Sequence, residues 1–103
     1  MKFMVSWTVN AAGSVADAEA DVKRSLQLFS KWSPPEGLKM SEFVERIDGR
    51  GGYVVCETDN PALLLDGPSK FGVANTFEVV PVMDITEAIA VASEAIEYRD
   101  SIS

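Results

Sequence analysis

Residues 45–65, ERIDGRGGYVVCETDNPALLL, contain a strand end, a turn, a second strand and the start of a helix. The glycine-rich run at 49–52 separates two apolar-rich segments, which is the pattern of a β-hairpin. Pro61 suits the first turn of a helix, where its missing N–H would have no partner, and Asn60 before it is a good N-cap. The stretch therefore predicts a hairpin followed closely by a helix.

Alternating apolar residues predict the strands of the chain. These strands are expected over residues 2–9, 38–47, 53–58 and 75–83. The apolar positions of 38–47 change parity part-way, which predicts a β-bulge near Ser41 or Glu42. Pro81 cannot donate a ladder hydrogen bond, so the last strand is expected to lie at a sheet edge or to bulge there.

Helical spacing of apolar residues predicts three helices. One begins after Ser14, a short one after Pro61 is interrupted by Gly67 and Pro68, and a long one ends the sequence. The order is βαββαβ followed by an extra helix. It predicts an α+β, ferredoxin-like fold with a four-stranded antiparallel sheet, two helices on one face and an extra C-terminal helix. We expect a single domain over residues 1–103.

The two faces of the predicted sheet differ in composition. The helix-facing side is apolar and is predicted to carry Phe3, Val5, Trp7, Val9, Val54, Cys56, Phe77, Val79 and Met83. The opposite side, here the mixed face, is predicted to carry Met4, Ser6, Thr8, Tyr53, Val55, Glu57, Glu78, Val80 and Val82. Because the mixed face has considerable apolar area, we predict a homodimer whose sheet faces enclose a partly polar interior.

Charge and residue counts exclude several classes of function. The chain has 9 Lys and Arg against 16 Asp and Glu, so its formal net charge is −7. Nucleic acids and anionic membranes attract cationic surfaces, so neither partner is expected. The chain has no histidine and one cysteine, which rules out histidine-dependent triads and histidine- or thiolate-ligated metals. No metal or cofactor is predicted, and one unpaired cysteine with no recognisable signal peptide favours a cytoplasmic location.

Strand carboxylates are the remaining catalytic candidates, because a partly buried carboxylate can act as a general base. Glu57 and Glu78 are predicted on the mixed face, and Glu45 is expected to join them past the bulge. The candidate ligand-binding residues on this face are Ser6, Thr8, Tyr53, Glu57 and Glu78. Interface polarity and plain solvent exposure are the alternative interpretations of these carboxylates.

Three other features favour structural interpretations. The glycine-rich turn joins two strands and opens no helix, so it predicts a hairpin turn and not a phosphate cradle. Cys56 lies on the helix-facing side and is predicted to be a buried thiol. Lys70 and Phe71 are expected in a surface loop, with a mobile lid as the alternative.

Three blocks of the sequence resemble the bacterial domain-of-unknown-function 3303 family. They are MKFMVSWTV at 1–9, IDGRGGYVVCETDNPA at 47–62 and FEVVPVMD at 77–84. The resemblance implies membership of the dimeric α/β-barrel superfamily, which includes small monooxygenases, isomerases and decyclases beside members that only bind or regulate. Since this chain has no histidine, any histidine-dependent activity of those relatives does not carry over.

Three functions are compatible with these observations. The first is a dimeric α/β barrel that binds a small organic ligand in a mixed polar and apolar interior. The second is a cofactor-independent enzyme, monooxygenase- or isomerase-like, that uses strand carboxylates on a small organic acid or aromatic compound. The third is an assembly module that docks through its last helix and has no ligand.

Overall fold

A computed structural model describes residues 1–102 as one four-stranded sheet with helices on one side and a projecting helix. The strands are β1 (Lys2–Val9), β2 (Lys39–Glu45), β3 (Gly51–Glu57) and β4 (Asn75–Val82). The helices are α1 (Val15–Ser30), α2 (Asp66–Phe71), which follows a 3-10 segment (Pro61–Leu65), and α3 (Ile85–Ile102). The strand order is β2-β3-β1-β4 and every pairing is antiparallel. The predicted ferredoxin-like α+β fold with an extra C-terminal helix is confirmed.

The turn between β2 and β3 is held by its own hydrogen bonds. The Arg46 N–H donates to the Gly51 carbonyl at 2.8 Å, and the Gly49 N–H donates to the Arg46 carbonyl at 2.9 Å. Gly49 has a φ of 72°, a left-handed conformation that favours glycine. The Asp48 carboxylate accepts from the Arg50 N–H at 3.0 Å and from the Arg46 guanidinium at 2.5 Å. The glycines therefore form a structural hairpin turn, as predicted.

Both edge strands of the sheet carry an irregularity. In β2 the pairing register shifts between Met40 and Glu42, which confirms the predicted bulge. The Ser41 hydroxyl within this bulge donates to the Val55 carbonyl at 3.1 Å. At the other edge, β4 pairs only with β1 and contains Pro81, so the expected edge position of this proline is also confirmed.

The buried core is small and lies between the helix-facing side of the sheet and the 3-10 segment. Its apolar members are Phe3, Val5, Val54, Cys56 and Leu64. Cys56 is 1% exposed, and its Sγ lies 3.8 Å from the Phe3 carbonyl oxygen. Burial raises the pKa of this thiol. The prediction of a buried structural cysteine is confirmed.

Side-chain caps begin two of the helical segments where the sequence predicts them. The Ser14 hydroxyl accepts from the Asp17 N–H at 3.1 Å at the start of α1. The Asn60 side chain accepts from the Ala62 N–H, also at 3.1 Å. Each bond satisfies a backbone donor that has no partner within its helix, which typically stabilises a helix by about 1 kcal/mol.

The predicted interruption of the second helix at Gly67 and Pro68 was wrong, because the change from 3-10 to α-helix lies between residues 65 and 66. The 3-10 segment ends at Leu65, and α2 begins at Asp66 with Gly67 and Pro68 in its first turn. Proline is tolerated there because the first N–H groups of a helix have no internal acceptor. Lys70 and Phe71 belong to α2, so the expected surface loop at these residues was wrong.

Helix α3 leaves the body of the protein. It has no buried residue, and the longest dimension of the molecule is 64 Å. An ion pair between the Lys2 ammonium and the Asp84 carboxylate ties the start of α3 to β1. Within residues 1–102, no helix is both long enough and apolar enough to cross a membrane.

Candidate functional site

An open apolar space lies between α1 and the helix-facing side of the sheet. It has a volume of about 670 Å³ and is called the cleft below. The sheet contributes apolar side chains to its floor, namely Val5, Trp7, Met40, Phe43, Val54, Cys56 and Phe77. Helix α1 contributes apolar side chains to its roof, namely Ala18, Val22, Leu26 and Phe29. Trp32, Leu63, Leu64 and Phe71 are among the residues that complete the walls.

The cleft exists because α1 is not packed tightly on the sheet. The apolar stripe that the sequence predicts on α1 faces the cleft, yet no residue of α1 is buried. Leu26, for example, lines the cleft and remains 64% exposed. A helix normally buries such a stripe against the core. The stripe of α1 is therefore available to a ligand or to another protein surface.

A cluster of aromatic rings forms one wall of the cleft. The Phe29 ring is central: its centroid lies 5.7 Å from that of Phe43, 6.2 Å from that of Trp32 and 6.4 Å from that of Phe71. Trp7 meets Phe43 edge-on at 5.7 Å. These separations are typical of favourable aromatic pairs. The cluster links the sheet, α1 and α2 around the cleft.

Trp7 takes its position in the floor because β3 has a glycine beside it. Trp7 and Gly52 are direct partners in the β1–β3 register. A Cβ atom on Gly52 would lie 2.3 Å from the Trp7 ring, so the indole covers the strand where this side chain is missing. A glycine inside a strand is a known signal of such close approach, and this signal is present in the sequence. The glycine-rich pattern by itself predicts Gly52 only as part of the turn.

A short polar chain fixes the orientation of Trp32 at the edge of the cleft. The Trp32 Nε1–H donates to Asp66 Oδ2 at 2.7 Å, and the Lys70 ammonium donates to Asp66 Oδ1 at 2.7 Å. The bond from Lys70, followed by the bond from Trp32, lowers the pKa of the Asp66 carboxyl. Indole N–H groups usually require a partner when partly buried, and Asp66 supplies one.

The hydrogen bonds that Asp66 accepts from Trp32 and Lys70 predict a defined pH dependence for the variant Asp66→Asn. Because the folded-state pKa of Asp66 is below its ordinary value of 3.8, its ionised form stabilises the fold above that value. The stabilisation is lost as the pH falls through the folded-state pKa. We expect the difference in free energy of unfolding between wild type and Asp66→Asn to be full above about pH 5 and to shrink below it. Urea denaturation from pH 6 to pH 2.5 measures it, and a constant difference would contradict the prediction.

The polar groups around the cleft are neutral or negatively charged. The two ionisable carboxylates in its lining are Asp21 and Glu45, and the neutral polar groups are Asn10, Ser25 and Asn75. None of the described residues that line the cleft is Lys or Arg. Aromatic faces attract cations, whereas a carboxylate ligand would meet like charge. The lining therefore favours neutral or positively charged apolar molecules.

All five sequence-predicted ligand-binding residues lie on the mixed face, on the opposite side of the sheet from the cleft. Ser6 pairs with Tyr53 on one side and with Glu78 on the other, so these three side chains form a row across the sheet. Thr8, two residues further along β1, occupies the next row of the same face. The structure thus brings four of the predicted residues together.

The three candidate carboxylates do not form one group within the chain. Glu57 is separated from Glu78 by two strand spacings and four residues, which corresponds to about 17 Å between their Cα atoms. Lys2 and Lys39 are the register partners of Glu57 on its two neighbouring strands. Glu45 pairs with Gly52 and lines the cleft, so the expectation that it joins the mixed face was wrong. The cause is the bulge, which moves Glu45 to the helix-facing side.

The described part of the chain contains no cluster of side chains suited to binding a metal ion. Among residues 1–102, no group of three or more His, Cys, Asp or Glu side chains is placed to hold a metal ion. The described side chains supply apolar contact, aromatic stacking and hydrogen bonding, and each face of the sheet carries its own carboxylates.

The fold and the cleft define an α+β protein of the ferredoxin-like type with an apolar, aromatic cleft. The chain belongs to the family described as Domain of unknown function (DUF3303), because the family model matches residues 1–96. A search of curated proteins found no match. The family part of the resemblance noted from the sequence is thereby confirmed.

Proposed function

We propose that the protein binds a small, predominantly apolar organic molecule, neutral or positively charged, in the cleft between α1 and the sheet. The observation that carries this proposal is an aromatic lining that includes carboxylates but, among the described residues, neither Lys nor Arg. The volume of about 670 Å³ lies within the range of about 300–1,000 Å³ typical of small-molecule sites. The few polar groups among many apolar ones are also typical of such sites.

The charge of the lining bears on the class of ligand. Asp21 and Glu45 would repel a carboxylate that entered the cleft, and the net charge of −7 adds to that repulsion. An ammonium group would instead be attracted by these carboxylates and by the faces of Trp7 and Phe29. A small organic acid, one substrate class considered for an enzymatic role, is therefore a poor match to the cleft.

We further propose that the protein is cytoplasmic and forms a homodimer in which the mixed faces of the two copies contact each other. Met4, Tyr53 and Val80 expose apolar area on this face, which supports coverage by a second copy. In such a dimer, the row of Tyr53, Ser6 and Glu78 would lie between the two sheets. That row motivates a second candidate site, a polar one in the interior of a dimeric α/β barrel, with Thr8 and Glu57 nearer its ends.

Three probes that share an eight-carbon chain test the proposed ligand class. Octylamine is positively charged, 1-octanol is neutral and octanoate is negatively charged near pH 7. Both Trp7 and Trp32 line the cleft, so tryptophan emission reports binding. We expect octylamine and octanol to bind, and octanoate to bind at least about ten-fold more weakly, which corresponds to about 1.4 kcal/mol.

Two substitutions of alanine by phenylalanine on α1, one facing the cleft and one facing away, test where the ligand binds. Ala18 lines the cleft, whereas Ala20 lies on the opposite face of the same helix. We expect Ala18→Phe to occupy part of the cleft and to weaken octylamine binding at least about ten-fold, with no change for Ala20→Phe. Equal binding by the two variants would remove the cleft from the proposal. Loss of binding in Ser6→Ala or Glu78→Gln would instead favour the mixed face.

A further inference from the structure

We infer that α3 of a second copy of this chain packs over the cleft and completes its open side. This inference goes beyond the proposed ligand binding and does not require a ligand. It rests on the unpartnered apolar half of α3, on the open side of the cleft and on the surface area of the chain.

The single chain exposes more surface than a compact monomer of its mass. Its accessible surface is 7730 Å², whereas a folded monomer of 11.2 kDa is expected to expose about 5,700 Å². The radius of gyration is 18.5 Å, compared with about 13 Å for a compact domain of this length. The excess of about 2,000 Å² is more than twice the roughly 800 Å² that each partner buries in a standard interface. It is large enough for both mixed-face pairing and docking of α3.

Helix α3 has an apolar surface that is unusually broad for an exposed helix. Its apolar residues cover about half of the helix circumference. They are Ile85, Ala88, Ile89, Val91, Ala92, Ala95, Ile96, Tyr98 and Ile102, and Arg99 in the last turn is the charged residue on the same half. Ile85 is 72% exposed and Ile89 is 57% exposed, so residues 1–102 leave most of this half uncovered. An apolar stripe of this width is typical of a helix that is packed against another element.

The cleft offers the matching surface. Its roof helix α1 has 16 residues and α3 has 18, so their lengths of about 24 and 27 Å allow them to lie side by side. The second half of α1 carries Lys23 and Arg24 on its exposed surface, whereas the polar half of α3 carries Glu94 and Glu97. These opposite charges suit two adjacent helices.

The junction before α3 favours docking on another copy over folding back on the same chain. Met83 and Asp84 are the whole connection between β4 and α3, and the Asp84 carboxylate is bonded to Lys2. An eight-residue strand and an 18-residue helix measure about 27 Å each, which together account for most of the 64 Å dimension. The helix thus continues away from its own sheet.

Two substitutions of alanine by aspartate, one on each side of α3, test whether its apolar half is an interface. Ala92 lies in the middle of that half, and Ala90 lies on the opposite side of the helix. We expect Ala92→Asp to raise the dissociation constant of the oligomer at least about 100-fold, because it places an unpaired carboxylate in an apolar contact. Ala90→Asp is expected to leave it unchanged. Sedimentation velocity without ligand measures both, and equal behaviour of the two variants would overturn the inference.

Disulfide trapping identifies the surface that α3 contacts. One chain carries Ala92→Cys and a second, distinguishable by mass, carries Ser25→Cys in the roof helix of the cleft. The native Cys56 is buried and does not interfere. We expect mixed chains to form a disulfide between the two variants. Three outcomes would overturn the inference: disulfides only between two Ala92→Cys chains, a disulfide within one chain that carries both substitutions, or a monomeric wild type. None of these outcomes depends on whether the octyl probes bind.

Discussion

Replacing Gly52 with alanine is expected to destabilise the fold by about 3 kcal/mol. The added Cβ would lie 2.3 Å from the Trp7 ring and 2.4 Å from the Val44 carbonyl oxygen. The indole can move only by leaving the cleft floor and its edge-on contact with Phe43. The carbonyl belongs to the paired strand β2, so it can move only if the ladder shifts. Both neighbours must therefore yield to a single methyl group.

The variant Gly67→Ala is the matched control for this prediction. Apart from the residues next to it and the backbone of its own helix, no atom lies within 4 Å of the position that a Cβ on Gly67 would take, and this residue is in the first turn of α2. We expect its free energy of unfolding to change by less than about 1 kcal/mol, because the higher helix propensity of alanine is opposed by the strain of a Cβ in a helical residue that precedes Pro68. Urea denaturation followed by tryptophan emission measures both variants. A Gly52→Ala protein as stable as Gly67→Ala would show that the indole does not cover the strand.

Replacing Phe3 with alanine is expected to cost about 3–5 kcal/mol of unfolding free energy. Phe3 is 7% exposed and is one of only five buried apolar residues among those described. It pairs with Cys56 on β3 and with Pro81 on β4, so it joins the central strands to the edge. Since domains are stable by about 5–15 kcal/mol, this change removes a large share of the total.

The control for the Phe3 prediction is the same truncation at Phe43, which is 47% exposed. Its ring contacts Trp7 and Phe29 but retains water on one side. We expect Phe43→Ala to cost about 1–2 kcal/mol, because less area is transferred from the interior. Thermal and urea unfolding of both variants give the comparison. Equal losses would mean that the core extends to the aromatic cluster.

The fold was largely predictable because its signals are local. The glycine-rich turn, the N-caps at Ser14 and Asn60 and the alternation in β1 each act within a few residues. Even the bulge near Ser41 could be predicted, since a change of parity in one strand requires an extra residue.

The candidate site was less predictable because it depends on how far apart elements lie. The sequence shows that α1 has an apolar stripe, but it does not show that this helix remains separated from the sheet. Glu45 lies two residues after Phe43 and shares its face, so the predicted bulge already implied the helix-facing side, and the expectation that Glu45 joins the mixed face did not follow from the pattern. The hydrogen bond from Trp32 to Asp66 joins residues 34 apart in the sequence, and no local pattern predicts it.

The bulge in β2 and Pro81 in β4 also affect how copies of this chain can meet. An unbroken outer strand presents a regular row of free N–H and C=O groups, onto which a strand of another molecule can add. Here one row is offset at Ser41 and the other has no donor at Pro81. Continued strand addition, the route to fibrous aggregates, is therefore opposed at both margins. The uncovered apolar surfaces of this protein therefore favour association through side-chain contacts, which gives assemblies of finite size. They do not favour continued strand addition.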